Sequence, residues 1–209
     1  MKKKTKHNHT KKKKTEYRYV YIMLSQTSTY AARLIKMYTR EPYAHVSIAL
    51  DKDLKEMYSF GRKRLHNPLL AGFVAEDIEK GVFAQNPNNR CSIYELKVTS
   101  EQYDAIVREI EIFKENKEKY SYNFLGIAGC MVHYPVNLDT RYFCSQFVAY
   151  ILMRSGVQLF DKNYGLIRPF DFRINPRLKR IYRGKICNYY SVRNIMLEQE
   201  QQEEQLLSV

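Results

Sequence analysis

The hydrophobic period of this chain switches from about two residues to about 3.6 and back, which restricts it to a mixed architecture. Short runs rich in Tyr, Val and Ile come first. Residues 17–24 (YRYVYIML), 44–50 (AHVSIAL), 56–60 (EMYSF) and 91–98 (CSIYELKV) each read as a strand. Two segments then carry helical spacing. In 99–120, Tyr103, Ile106, Val107, Ile110 and Phe113 form one apolar face, and Thr99 with Gln102 has the form of a capping box. In 143–154 the stripe is Phe147, Val148, Ile151 and Leu152, with Gly156 placed for a left-handed cap. Further helices are expected over 29–38, 123–132 and 195–207, and a last strand over 178–186. Residues 61–80, with Gly61, Pro68 and Gly72, read as a long loop. Strands grouped ahead of the strongest helices predict a single α+β domain, an antiparallel sheet or partial barrel packed against helices.

The 209 residues suffice for one sizeable core. The net charge of +13 points to an anionic partner, but eight of the lysines lie among the first fourteen residues. Without those eight the net charge is +5. The expected organisation is a disordered basic tail over 1–15, a globular domain over 16–190, and a Gln- and Glu-rich tail or helix over 191–209. The lysine run is followed by Thr-Glu-Tyr-Arg rather than an apolar stretch, so a cytoplasmic location is expected. Residues 2–14 could hold an anionic membrane or nucleic acid through phosphates, or simply remain solvated. Tyr17, Tyr19 and Tyr21 share one strand face and read as core or cleft wall rather than a stacking platform for bases.

Cys91, Cys130, Cys144 and Cys187 form no CxxC pair, which speaks against a zinc ribbon, a redox dithiol or a disulfide scaffold. Neither a metal nor a cofactor is expected. Cys144 stands where the helix over 143–154 begins. The unpaired N–H groups and the dipole at a helix N-terminus favour a thiolate, which is the nucleophilic form of cysteine. A cysteine nucleophile needs a base, usually an oriented imidazole. Of the five histidines, His7 and His9 fall in the tail, His66 in the loop and His133 after a helix end. His45 opens a strand, and a strand fixes where its side chain points.

A third polar group, to hold the imidazole, is expected on the returning strand. With a turn over 51–54, Leu50 pairs with Lys55 and His45 with Phe60, so Glu56 and Tyr58 share the face of His45. A slip of one residue brings Ser59 there instead.

Two motifs, His45-Val46-Ser47-Ile48-Ala49-Leu50 and Tyr142-Phe143-Cys144-Ser145-Gln146-Phe147-Val148, resemble the permuted branch of the NlpC-type papain-like cysteine hydrolases. That branch includes the YiiX/YaeF-like proteins and relatives of lecithin:retinol acyltransferase, and the resemblance spans roughly residues 17–187. It implies a permuted papain-like fold, with Cys144 as nucleophile, His45 as base and a third residue in the Glu56–Ser59 segment. Tyr58 stands where an acidic or amide side chain is commoner, and Ser47 where glycine is common. Gln26, Ser145 and Ser59 are candidates for the oxyanion site or cleft wall.

The expected chemistry is hydrolysis of an amide or peptide bond through an acyl-enzyme. A lipid acyltransferase or thioesterase on the same fold is the alternative, as is an inactive binding module. The substrate expected is a small-molecule, peptide or lipid acyl compound.

Overall fold

The computed structural model of the protein describes residues 15–26, 41–64 and 67–207. The N-terminal lysines and the helix expected over 29–38 lie outside the described residues. Among the described residues, a six-stranded sheet runs in the order β4-β3-β2-β1-β5-β8. Its strands are β1 (Tyr17–Ser25), β2 (His45–Ala49), β3 (Met57–Arg64), β4 (Asn67–Glu76), β5 (Arg90–Thr99) and β8 (Lys179–Lys185). Every pairing within it is antiparallel. The sheet is open, with β4 and β8 at its edges, so the fold is α+β without the expected partial barrel.

The helices are α1 (Gly81–Ala84), α2 (Ser100–Glu115), α3 (Phe124–Met131), α4 (Cys144–Arg154), α5 (Pro169–Ile174) and α6 (Tyr189–Leu207). Two short strands, β6 (Ser121–Tyr122) and β7 (Arg141–Tyr142), pair in parallel just before α4. No helix among the described residues is long and apolar enough to cross a membrane.

Both faces of the sheet are covered, which is why all five residues of β2 are buried. On one face, Val46 and Ile48 join Ile22, Leu24, Phe60, Ile106 and Phe147 in the main core beneath α2 and α4. Phe147 packs its ring 5.1 Å from both Phe60 and Phe113. Each such buried side chain contributes about 1.5–3 kcal/mol. The other face buries Met23, Ala49, Leu54, Met57, Cys91 and Ile93 beneath α1 and α6. The alternation along β1 sends Tyr21 into this second cluster, whereas Tyr17 and Tyr19, expected as core or cleft wall, are exposed at the strand's start.

The capping box of α2 forms as expected: Gln102 N–H donates to Thr99 Oγ1 and Thr99 N–H to Gln102 Oε1. Gly156 has a positive φ of 72° after α4.

Two segments depart from expectation, and both bear on the site. The presumed loop over 61–80 is largely strand, because β3 and β4 form a long hairpin. Pro68 and Gly72 masked it, although an edge strand tolerates a missing N–H. Gly72 also permits a close approach, since a Cβ there would stand 2.5 Å from the Tyr120 carbonyl oxygen.

The β2–β3 register is shifted by one residue from the first expectation. Ile48 pairs with Tyr58 and Ala49 with Met57. The cause is the turn. Asp51 accepts from the N–H groups of Lys55 and Glu56, and Leu54 takes a positive φ of 56° to bury its side chain. The connection is therefore one residue longer, and Leu50 N–H donates to Glu56 rather than meeting Lys55.

Candidate active site

His45 begins β2 and Cys144 begins α4, and the fold brings them together. The imidazole is hydrogen-bonded with the Cys144 thiol. Its Nε2 lies 2.8 Å from Glu76 Oε1, so Nδ1 is the nitrogen left for the sulfur. The second carboxylate oxygen of Glu76 accepts from Ser47 Oγ at 2.5 Å. Glu76 closes β4, two strands from His45, and fixes both the tautomer and the tilt of the ring. Gly61 lies beside this contact without being required by it. A Cβ there would stand 3.6 Å from Glu76 Oε1 and 3.7 Å from the His45 ring.

The sulfur collects further donors. The main-chain N–H groups of Val46 and Ser145 stand near it and favour its charged form. The Tyr122 hydroxyl stands beside Cys144 and interacts with its sulfur and its main chain. This cluster depends on an unusual helix start. Phe143, the N-cap of α4, has no side-chain acceptor to occupy the first-turn N–H groups. Those groups therefore remain for the sulfur and the tyrosine.

The electrostatics follow from this geometry. Burial alone pulls the His45 imidazole down. The Glu76 carboxylate and the Cys144 thiolate outweigh burial and raise it to about 10. Burial alone pushes the Cys144 thiol up, but the His45 hydrogen bond, its positive charge and the two N–H donors bring it below its ordinary value. Both directions favour the same pairing, a thiolate beside an imidazolium. Burial, and then the charge of Cys144, push Tyr122 well up, so its hydroxyl stays protonated and able to donate.

The start of α4 is held by buried polar contacts. Ser145 Oγ donates to the Ile167 carbonyl at 2.7 Å. Gln146, fully buried one turn into the helix, accepts from Asn123 Nδ2 and Phe143 N–H and donates to Asn137 Oδ1 and the Val136 carbonyl. These contacts fix the Cys144 backbone relative to Tyr122.

The other sequence candidates fall elsewhere. Glu56 is exposed in the hairpin turn and does not reach His45. Tyr58 points into the main core, stacked 5.9 Å from Phe73. The register shift carried both away from the histidine. Ser59 is buried and donates to the Val46 carbonyl at 2.7 Å, so it braces the strand that bears His45. Gln26 accepts from Arg90 N–H, which ties its side chain to the start of β5. Ser145 contributes its N–H to the sulfur, while its hydroxyl is engaged by Ile167.

Sequence reasoning missed Glu76 and Tyr122. The signal for Glu76 was a carboxylate closing the apolar run 69–76 (LLAGFVAE), visible only if that run is read as a strand. For Tyr122 no local signal existed, because β6 is only two residues long. Compared with protein-family models and with curated proteins, the sequence matches none of them.

Proposed function

We propose that the protein is a cysteine-dependent acyl-transfer enzyme, a hydrolase of amide, ester or thioester bonds, built on a permuted papain-like arrangement. The observation that carries this reading is the chain Cys144–His45–Glu76, a nucleophile hydrogen-bonded to a base that a carboxylate orients. The order along the sequence, histidine strand before cysteine helix, supports the permuted form.

In the acylation step the Cys144 thiolate attacks the substrate carbonyl, and the electron pair moves to the carbonyl oxygen. The Ser145 N–H and the Tyr122 hydroxyl, both beside the sulfur, are the donors at hand for that oxygen. Collapse of the tetrahedral species expels the amine, alcohol or thiol, which takes its proton from the His45 imidazolium. In the second step His45 removes a proton from water, or from an acceptor alcohol or amine. The resulting nucleophile attacks the thioester, expels the Cys144 thiolate and releases the acyl group, leaving the thiolate beside the protonated His45. Glu76 stabilises the imidazolium throughout and prevents the ring from turning.

The test is to trap the acyl-enzyme. The protein is incubated with a panel of activated esters, thioesters and anilides, and intact mass is recorded. An acyl adduct on Cys144 is expected, together with loss of turnover by about three orders of magnitude in Cys144→Ala. Turnover unchanged in that variant would refute the proposal.

A further inference from the structure

Strand β8 is an edge of the sheet, and its charges are sorted by face. Its register with β5 places Lys185 opposite Arg90, Arg183 opposite Ser92 and, past a bulge at Ile181, Arg180 opposite Tyr94. Residues directly opposite in an antiparallel pair share a face. Tyr94 belongs to the main core, whereas Cys91 and Ile93, which alternate with Ser92 and Tyr94, belong to the second cluster. Arg90, Arg180, Arg183 and Lys185 therefore stand on the face of the main core, at its β8 border, and all four are exposed. Strict alternation would have sent Arg180 to the other face, and the bulge returns it.

On that other face Lys179 lies opposite Glu95, with its ammonium 3.0 Å from the carboxylate. Among the described residues no acid is paired with Arg90, Arg180, Arg183 or Lys185. Arg90 and Lys185 are moreover like charges directly opposed, which destabilises a sheet unless an anion joins them. Four unneutralised cations at one border suit a run of carboxylates or of phosphates.

The backbone chooses between those two. Ile186 N–H donates to the Asn89 carbonyl at 2.9 Å, which continues the register of the pair and turns the N–H and C=O groups of Tyr182 and Gly184 toward β5. Those of Arg183 and Lys185 turn outward. The Lys185 carbonyl accepts from the Tyr182 hydroxyl at 2.6 Å. Among the described residues no hydrogen bond engages the Arg183 N–H and C=O or the Lys185 N–H, and no strand lies beyond β8. An open edge pairs with an extended peptide, whereas a phosphodiester chain has no alternating N–H and C=O groups to offer it. A second copy of β8 would set arginine against arginine. A strand with an acid at every second position would instead place carboxylates about 6.7 Å apart beside Arg183 and Lys185, which share that spacing.

We infer that the outer edge of β8 binds an extended acidic peptide by strand addition, with Arg180, Arg183 and Lys185 meeting its carboxylates. Strands β1 and β5 separate this edge from the strand of His45, and docking does not depend on the catalytic reading.

The test uses the full chain and three fluorescent probes read by anisotropy at low salt: a blocked peptide of four Glu-Thr repeats, a blocked peptide of four Glu-Pro repeats, and a single-stranded oligothymidylate. Wild type is expected to bind the Glu-Thr peptide at least about fivefold more tightly than the Glu-Pro peptide, whose charge is the same but whose prolines remove ladder N–H groups. Arg183→Glu combined with Lys185→Glu is expected to weaken Glu-Thr binding by at least about tenfold, and Lys179→Gln, on the other face, to leave it within about twofold. Hydrogen exchange at Arg183 should slow when the Glu-Thr peptide is bound. If the double variant does not melt as wild type does, Arg183→Gln with Lys185→Gln replaces it, with a smaller loss expected. Absence of Glu-Thr binding by wild type overturns the inference. Binding unchanged in the double variants also overturns it and assigns the peptide to the lysines of residues 2–14. Equal binding of the Glu-Thr and Glu-Pro peptides overturns strand addition. An oligothymidylate bound more tightly than the Glu-Thr peptide, and released by the same variants, overturns it in favour of a phosphate backbone. Cys144→Ala should bind the peptide as wild type does, so a failure of docking and a failure of catalysis give different results.

Discussion

Two buried thiols in this molecule titrate in opposite directions. Cys91 lies in β5 among Met23, Ile93 and Tyr182, and burial pushes it up to about 12. Cys144 is equally buried, yet lies below its ordinary value. Desolvation acts in the same sense on both. The difference is made by what meets the sulfur: an imidazolium and two main-chain N–H groups at Cys144, and at Cys91 apolar neighbours with the Cys187 thiol nearby. Burial without donors makes a cysteine inert, and burial with aimed donors makes it a nucleophile.

The largest test of that contrast is His45→Gln. It removes the cation and the hydrogen bond but leaves the burial, so Cys144 should come to resemble Cys91. Alkylation of Cys144 by iodoacetamide near neutral pH, followed peptide by peptide, should slow by about two orders of magnitude. Its pH profile should move to the alkaline side of 9.0, the ordinary thiol value. If the rate is unchanged, the N–H donors alone hold the thiolate. Cys187 is exposed and will label in both proteins, so its peptide must be counted separately.

Glu76→Gln should have a smaller effect, about tenfold on turnover, and should sharpen the comparison through pH. In wild type the ion pair forms as pH rises through the depressed thiol value and is lost as His45 deprotonates near 10. The glutamate is the strongest influence raising His45, so the variant should lose activity on the alkaline side at lower pH. An unmoved alkaline limb would show that Glu76 only positions the ring. Stability follows the same pair. The raised His45 adds stability that is complete below 6.5 and lost as pH rises through about 10. The depressed Cys144 adds stability that is complete above 9.0 and lost as pH falls through its folded value. Above 9.0 the Cys144 contribution is complete and only that of His45 still changes, so denaturation midpoints should fall as pH rises from 9.0 through about 10.

The smallest effect is expected from Cys91→Ala. Turnover and Cys144 alkylation should equal wild type, and urea denaturation should show a loss of about 1 kcal/mol from the small void. A marked loss of activity would break the contrast, because it would couple the inert thiol to the active one.

His45 and Cys144 were legible in the sequence because each sits at the end of a segment whose period is self-evident. One starts an alternating strand and the other an amphipathic helix. The capping box at Thr99 was legible for the same reason: its two partners lie three residues apart. Glu76 was not legible, because Pro68 and Gly72 disguise β4 as a loop, and because its partner lies across an intervening strand. Tyr58 and Glu56 were misplaced by a single residue of register. The Asp51 turn and the burial of Leu54 set that register, and the β2 and β3 sequences do not.

Helix α3 shows the same division. Its helical form was readable from residues 123–132, but which side faces solvent was decided by the glycines fitting against Asn123 and Tyr134. The sequence by itself determined the periodic elements, the basic N-terminal segment and the two side chains of the proposed dyad, since these depend on neighbours within a few residues. Tertiary structure alone decided the acid behind the base, the tyrosine at the sulfur and the direction in which each thiol titrates. Those depend on side chains from separate segments reaching one point, and short-range spacing carries no record of that convergence.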